Sequence, residues 1–184
     1  MFTRTMRNWY PTMVNIETWL CGPPAAQGQR QQYPSRFLTN LFKSYPDFES
    51  DKTLHMFSGS VSFGTTTDIR PETGCDICSP FDSIPRPDAF FGHVLADPPY
   101  ADYFMADWDD AELPRPIDVL REAARLCEIG GLIGVLHIIV IPGYKDPKWR
   151  MPPIERVGLH PVLAGPNNAV RVFNVFRRVE GDDG

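Results

Sequence analysis

Apolar positions change their spacing several times along this chain, and each change marks a predicted element. Phe37, Leu38, Leu41 and Phe42 recur at helical intervals. They predict a short helix capped by Ser35 and ended before Pro46. Residues 53–57 form a compact apolar run broken by Ser58-Gly59-Ser60, the pattern of a strand entering a tight turn. Residues 65–69 are rich in β-branched side chains between Gly64 and Pro71, and predict a second strand. Residues 91–96 predict a third, sealed at its C-terminal end by Asp97-Pro98-Pro99. Pro116 is tolerated in a first helical turn. Ile117, Leu120, Ala124 and Cys127 follow at helical spacing, so a helix is predicted over 116–128, stopped by Gly130-Gly131. Residues 132–141 are almost all apolar, as in a central strand covered on both faces. The chain then closes with a hairpin: residues 161–164, a turn at Gly165-Pro166-Asn167-Asn168, and an alternating run over 169–179.

This order predicts an α/β fold with a mostly parallel sheet and an antiparallel C-terminal hairpin. No repeat or linker divides the 184 residues, so a single domain is expected, with residues 1–34 as an irregular N-terminal arm and 180–184 as an acidic tail. Hydrophobic residues make up 42% and charged residues 22%, which excludes a largely disordered chain. No apolar run reaches the ~18 residues of a membrane span. Arg4, Arg7, Asn8 and Asn15 interrupt any leader-like apolar segment, and a cytoplasmic address with no membrane partner is expected.

Charge sharpens the picture. The net −5 is an average: residues 53–139 carry −9 and residues 140–179 carry +5. An acidic centre beside a basic segment suits a polyanion meeting a carboxylate-lined pocket. Within the basic segment Lys145, Lys148, Trp149 and Arg150 combine cations with an aromatic ring, able to contact phosphate and stack on a base. Cys75 and Cys78 form a lone C-x-x-C without the second ligand pair of a zinc site, and no metal is expected.

The chemistry concentrates at Leu95-Ala96-Asp97-Pro98-Pro99-Tyr100. Ligands of open α/β sheets bind at the carboxyl ends of strands. Two prolines stiffen the backbone there and leave carbonyls free to accept. An Asp carboxylate with a Pro carbonyl can hold both hydrogens of an exocyclic amine, and the following Tyr offers a stacking face.

These residues resemble the hallmark of class I S-adenosylmethionine-dependent methyltransferases of the amino-methylating type, Asp/Asn-Pro-Pro-Tyr/Phe. The resemblance covers about residues 53–179. It assigns Asp97, Pro98, Pro99 and Tyr100 to catalysis. It assigns Phe57, Ser58, Gly59 and Ser60 to the turn under the methionine part of S-adenosyl-L-methionine, Asp68 to the ribose hydroxyls, and Asp76 with Ile77 to the adenine; Asp97 also borders the cofactor. The family's second turn glycine is Val61 here. Phe57 and Asp68 are eleven positions apart, less than a crossover helix needs, so the first crossover helix is expected to be shortened or absent. The resemblance implies methyl transfer to an exocyclic amine, adenine N6 or cytosine N4 of DNA foremost. A target-recognition insert is lacking, which keeps RNA, a nucleotide or a protein amide open as substrate. Val61 and the short crossover keep open a non-catalytic binding module. A second copy or a partner subunit is the expected source of target recognition.

Overall fold

The computed structural model describes residues 13–22, 33–59, 61–100, 113–142, 151–165 and 170–181. Among them, nine strands form one sheet. β1 (Asn15–Ile16) and β2 (Trp19–Leu20) precede α1 (Phe37–Ser44) and a 3-10 turn at Pro46–Phe48. There follow β3 (Thr53–Met56), β4 (Thr65–Asp68), β5 (Ile77–Cys78), β6 (His93–Ala96), α2 (Pro116–Leu126), β7 (Leu132–His137), β8 (Ile154–Leu163) and β9 (Arg171–Arg178). The spatial order is β1-β8-β9-β7-β6-β3-β4-β5, with β2 also paired to β8. Every pairing from β5 through β7 is parallel, whereas β9 runs antiparallel to both β7 and β8.

Alternation along the central strands divides the core into two layers. Leu54, Met56, Val94, Ala96, Ile133 and Val135 face α2 and meet Val119, Leu120, Ala123 and Leu126. Leu95, Leu132 and Leu136 point the other way, toward Phe37, Leu41, Phe48 and Phe173. Both faces are covered, and every residue of β3 and β7 is buried, including the polar Thr53 and His55 that alternate with Leu54 and Met56. Gly134 in β7 makes room for an aromatic: a Cβ there would stand 2.5 Å from the Phe173 ring.

The predicted elements differ from the structure at several edges, each for a local reason. The described residues between β3 and β4 contain no helix. The chain reverses instead through left-handed residues at Phe57 (φ 58°), Gly59 (φ 52°) and Gly64 (φ 66°). At Gly64 a Cβ would collide with the Thr53 carbonyl oxygen, so glycine is required there. Ser35 does not cap α1; it bridges the Gly22 backbone through two hydrogen bonds of 3.1 Å, and a left-handed Arg36 (φ 66°) precedes the helix. β7 stops at His137 rather than 141 because the buried Asn174 side chain takes over the backbone. Its amide nitrogen donates to the Ile139 carbonyl (3.1 Å) and its oxygen accepts from the Ile141 N–H (2.9 Å). β8 begins at Ile154 rather than 161, and a bulge lies between Arg156 and Gly158. Inside the N-terminal arm, β1 and β2 add to the β8 edge, and buried Trp19 stacks on His160 at 4.4 Å between ring centroids. None of the elements is a helix long and apolar enough to cross a membrane.

Candidate active site

The chain builds the sheet outward from β3 to β4 and β5, then returns to lay β6 on the other side of β3 and continues to β7. The direction of building therefore switches between β3 and β6, where an open sheet leaves a crevice at its carboxyl edge. Two segments border that crevice: Phe57-Ser58-Gly59 after β3, and Asp97-Pro98-Pro99-Tyr100 after β6.

On the β3 side, Phe57 packs against Phe81 at 5.5 Å between centroids. Ser58 is buried; its N–H donates to the Thr67 carbonyl at 2.9 Å, while its hydroxyl has no hydrogen-bond partner among the described residues. The Gly59 N–H donates to Asp68 Oδ2 at 3.2 Å. Asp68 Oδ1 accepts from the Arg70 N–H and Nε, both at 3.0 Å, and Oδ2 accepts from Arg70 Nη2 at 3.3 Å. A carboxylate offers about four acceptor positions. Those of the residue matched to the ribose acid are thus taken up by the chain itself. Asp76 is exposed and tied to β4: its Oδ2 accepts from the Thr66 N–H and hydroxyl, both at 2.8 Å. The backbone bond, then the hydroxyl bond, holds its carboxyl below the ordinary range. Ile77 lies in the core layer under α2.

On the β6 side, Pro98 and Pro99 are buried. Asp97 has 12% of its side chain exposed, and its Oδ1 has no hydrogen-bond partner among the described residues. Burial pushes its carboxyl up to about 6, against the opposing pull of Arg171, whose Nη1 lies 3.8 Å from Oδ2. The Arg171 guanidinium also sits over the Tyr100 ring at 5.3 Å, and Tyr100 meets His137 edge to face at 5.6 Å. Tyr33 approaches from the segment before α1; burial, and secondarily the charge of Asp97, push its phenol well above the ordinary range. Tyr33, Ser35, Arg36 and Thr39 form one wall of a cleft of about 290 Å³, and Val61 and Phe63 are on the other.

The structure therefore brings Ser58, Gly59 and Asp97–Tyr100 to one crevice. Asp68 borders it with its acceptors engaged, and Asp76 and Ile77 stand one strand further out. Ser60, Lys145, Lys148, Trp149 and Arg150 lie outside the described residues. Tyr33, Arg36 and Arg171 carry no local signal in the sequence: Tyr33 sits in an arm that reads as irregular, Arg36 at the start of a short helix, and Arg171 at one more polar position of an alternating strand. No group of three or more His, Cys, Asp or Glu among the described residues could hold a metal ion. For a cofactor bearing an amino acid and a nucleoside, two buried polar atoms fit a ligand: the Ser58 hydroxyl and Asp97 Oδ1.

The sheet order, the crevice and the antiparallel closing strand define a Rossmann-like fold of the class I methyltransferase type. No protein-family model and no curated protein matches the sequence. Solved structures match in three dimensions. TrmN from Thermus thermophilus superposes with a TM-score of 0.52 at 14% identity over 83% of this chain, which spans about half (51%) of the length of TrmN. A chain from the complex between the Haloferax volcanii Trm112 methyltransferase activator and a methyltransferase gives 0.51 at 14% identity, covering 80% of this chain and 90% of its own. The [4+2]-cyclase SpnF gives 0.50 at 14% identity, covering 93% and 89%. At such identities the likeness establishes the fold. The presence of a cyclase beside methyltransferases illustrates that the reaction must be argued from the site.

Proposed function

We propose that this chain transfers a methyl group from S-adenosyl-L-methionine to an exocyclic amino nitrogen of a planar substrate, adenine N6 of DNA foremost. The observation that carries the reading is the buried Oδ1 of Asp97, unpartnered among the described residues, beside the switch-point crevice and next to two prolines. A buried polar atom without a partner costs free energy unless a ligand supplies one. An amino group is a fitting donor: Asp97 Oδ1 accepts one N–H, the Pro98 carbonyl accepts the other, and the nitrogen lone pair is turned toward the crevice. Tyr100 stacks on the ring that bears the amine, taken out of its helix or presented single-stranded. The Ser58–Gly59 turn and the Tyr33–Thr39 wall hold the cofactor. S-adenosyl-L-methionine would supply a methyl group on a positively charged leaving sulfur, so the chain's part is orientation and electrostatics. Cytosine N4, RNA, free nucleotides and protein amides present the same kind of amine. Target recognition is assigned to a partner subunit or a second copy.

The test is a labelled-methyl assay offering duplex DNA, single-stranded DNA and RNA side by side, with mass spectrometry of the digested product to name the methylated atom. Asp97→Ala should abolish transfer while the variant remains folded; undiminished turnover would sink the assignment. The engagement of Asp68 by Arg70 favours a second reading, a binding module without turnover. Calorimetric titration with S-adenosyl-L-methionine separates the two, because failure to bind by folded protein selects the module.

A further inference from the structure

Arg171 lies on the antiparallel closing strand, far in sequence from the segment it touches. β9 pairs with β7 so that Val172 stands opposite His137, at the carboxyl end of β7. Register thus delivers the residue before Val172 to the same rim of the sheet as Asp97, which follows Ala96, itself paired with Val135 of β7. The Arg171 side chain is 18% exposed. It makes two contacts there: Nη1 is 3.8 Å from Asp97 Oδ2, and the guanidinium carbon is 5.3 Å from the Tyr100 ring centroid. One cation therefore touches both the acceptor and the stacking ring of the site, without occupying Oδ1.

The geometry points to Arg171 as a positioning residue: it holds the Asp97 carboxylate in its ionised, accepting form and fixes the Tyr100 ring beside it. The role rests on the methyl-transfer reading for its purpose, but the Arg171–Asp97 coupling can be measured without turnover. Groups facing Asp97 from the surrounding elements are Arg171 of β9 and Tyr33 before α1; His137 of β7 reaches it through Tyr100. Of these, Arg171 carries the permanent positive charge. An opposite charge at such a distance lowers a carboxyl's titration midpoint by about one pH unit or more, and arginine in addition stacks on aromatic rings in a way lysine does not.

The experiment uses the full chain with Arg171→Met and Arg171→Lys, each made both in the parent and together with Asp97→Asn. Thermal unfolding is followed at pH 8 and pH 5, and methyl transfer is followed across pH. At pH 8, Arg171→Met should lower the melting temperature more in the parent than in the Asp97→Asn background, and the difference should vanish at pH 5. In the transfer assay the acidic limb should move up by about one pH unit, so that kcat at pH 6 falls about fivefold. Arg171→Lys should keep the limb near its original position and raise KM, through loss of the stacked guanidinium. Equal destabilisation by Arg171→Met in both backgrounds and at both pH values would make Arg171 an ordinary strand residue and overturn the proposal. Methyl transfer with an unmoved limb also overturns it and leaves the methyl-transfer reading intact. The pH-dependent coupling without transfer to any substrate supports the Arg171–Asp97 control and removes the methyl-transfer reading instead.

Discussion

Asp97→Asn separates the electrostatic role of this residue from its role as an acceptor. The carboxyl of Asp97 is pushed from 3.8 to about 6 by burial. A folded-state value raised above the unfolded one means that the folded protein binds the proton more tightly. The ionised carboxylate thus burdens the fold fully above pH ~6, and the burden fades as pH falls from 6 toward 3.8. Each pH unit of such a displacement is worth about 1.4 kcal/mol, so the burden is on the order of 2–3 kcal/mol at pH 8. Asn is nearly isosteric and never ionises. The variant should be more stable than the parent at pH 8 by about 1–3 kcal/mol, or roughly 3–10 °C in Tm for a chain of this size. The advantage should disappear by pH 4. Asn also keeps an amide oxygen where the amine's N–H must be accepted, and the hallmark tolerates either residue. Transfer activity should therefore survive, and the acidic limb near pH 6 should flatten. Differential scanning calorimetry at pH 4, 6 and 8, paired with the methyl-transfer profile, reads both effects. An Asn variant equally stable relative to the parent at all three values would refute the argument that Asp97 is held as a strained, ligand-seeking carboxylate.

Three further perturbations test other parts of the structure. His55 is fully buried in β3, its ring nitrogens have no hydrogen-bond partner among the described residues, and burial pushes it down to about 4. Its contribution is present above pH 6.5 and is lost as pH falls toward 4, a loss of about 2 kcal/mol at pH 5. His55→Leu should thus gain stability relative to the parent between pH 7.5 and pH 5 in denaturant titrations; no gain would mean that the ring finds a partner. Gly134→Ala should cost about 1–3 kcal/mol by overpacking Phe173, and Phe173→Leu in the same chain should recover part of that loss. Arg70→Ala removes the side-chain donors at Asp68 Oδ1 and Oδ2 while leaving the Arg70 and Gly59 N–H bonds. It should tighten S-adenosyl-L-methionine binding several-fold in calorimetry, and weaker binding would show that Arg70 supports the site rather than competes for it.

What could be read from the sequence is what local chemistry determines. β3, β6 and α2 announce themselves by apolar spacing and by punctuation at Ser58-Gly59 and Asp97-Pro98, and the structure places them close to the predicted limits. β5 is two residues long and exists because Thr67 and Asp68 pair with it, so no periodicity could reveal it. The first half of β8 carries Glu155 and Arg156, charged residues with no strand signal of their own, in the basic segment read as a phosphate contact; Arg156 lies over the Phe176 ring at 4.5 Å. β7 ends early because of Asn174, some 35 residues away in sequence from the Ile139 carbonyl it binds. The same distinction divides the site. Asp97 is legible because its neighbours in sequence define its environment, whereas Tyr33 and Arg171 are delivered by chain reversal and strand register, which no short window contains.

The two acids matched to the methyltransferase pattern end in opposite states, and the contrast narrows what the crevice can hold. Asp68 has four donors from its own chain, which makes the outer end of the crevice self-sufficient without a ligand. Asp97 and Ser58, at the inner end, each keep a buried oxygen with no partner among the described residues. Unsatisfied buried polar atoms are costly, and at the rim of a crevice a ligand can complete them. In the proposed reading, the half of the site that a ligand would complete is the half beside Asp97-Pro98-Pro99-Tyr100. The acceptors of Asp68 that the proposed ribose contact would use are held by the Arg70 guanidinium. A nucleoside bound there, as proposed, would have to displace Arg70 from Asp68, at the expense of the two side-chain bonds Arg70 makes to that carboxylate. Occupancy of the inner end need not wait for that movement. Ligands that carry an amine but no ribose should therefore compete for Asp97 without feeling Arg70→Ala, whereas nucleoside-bearing ligands should gain from it.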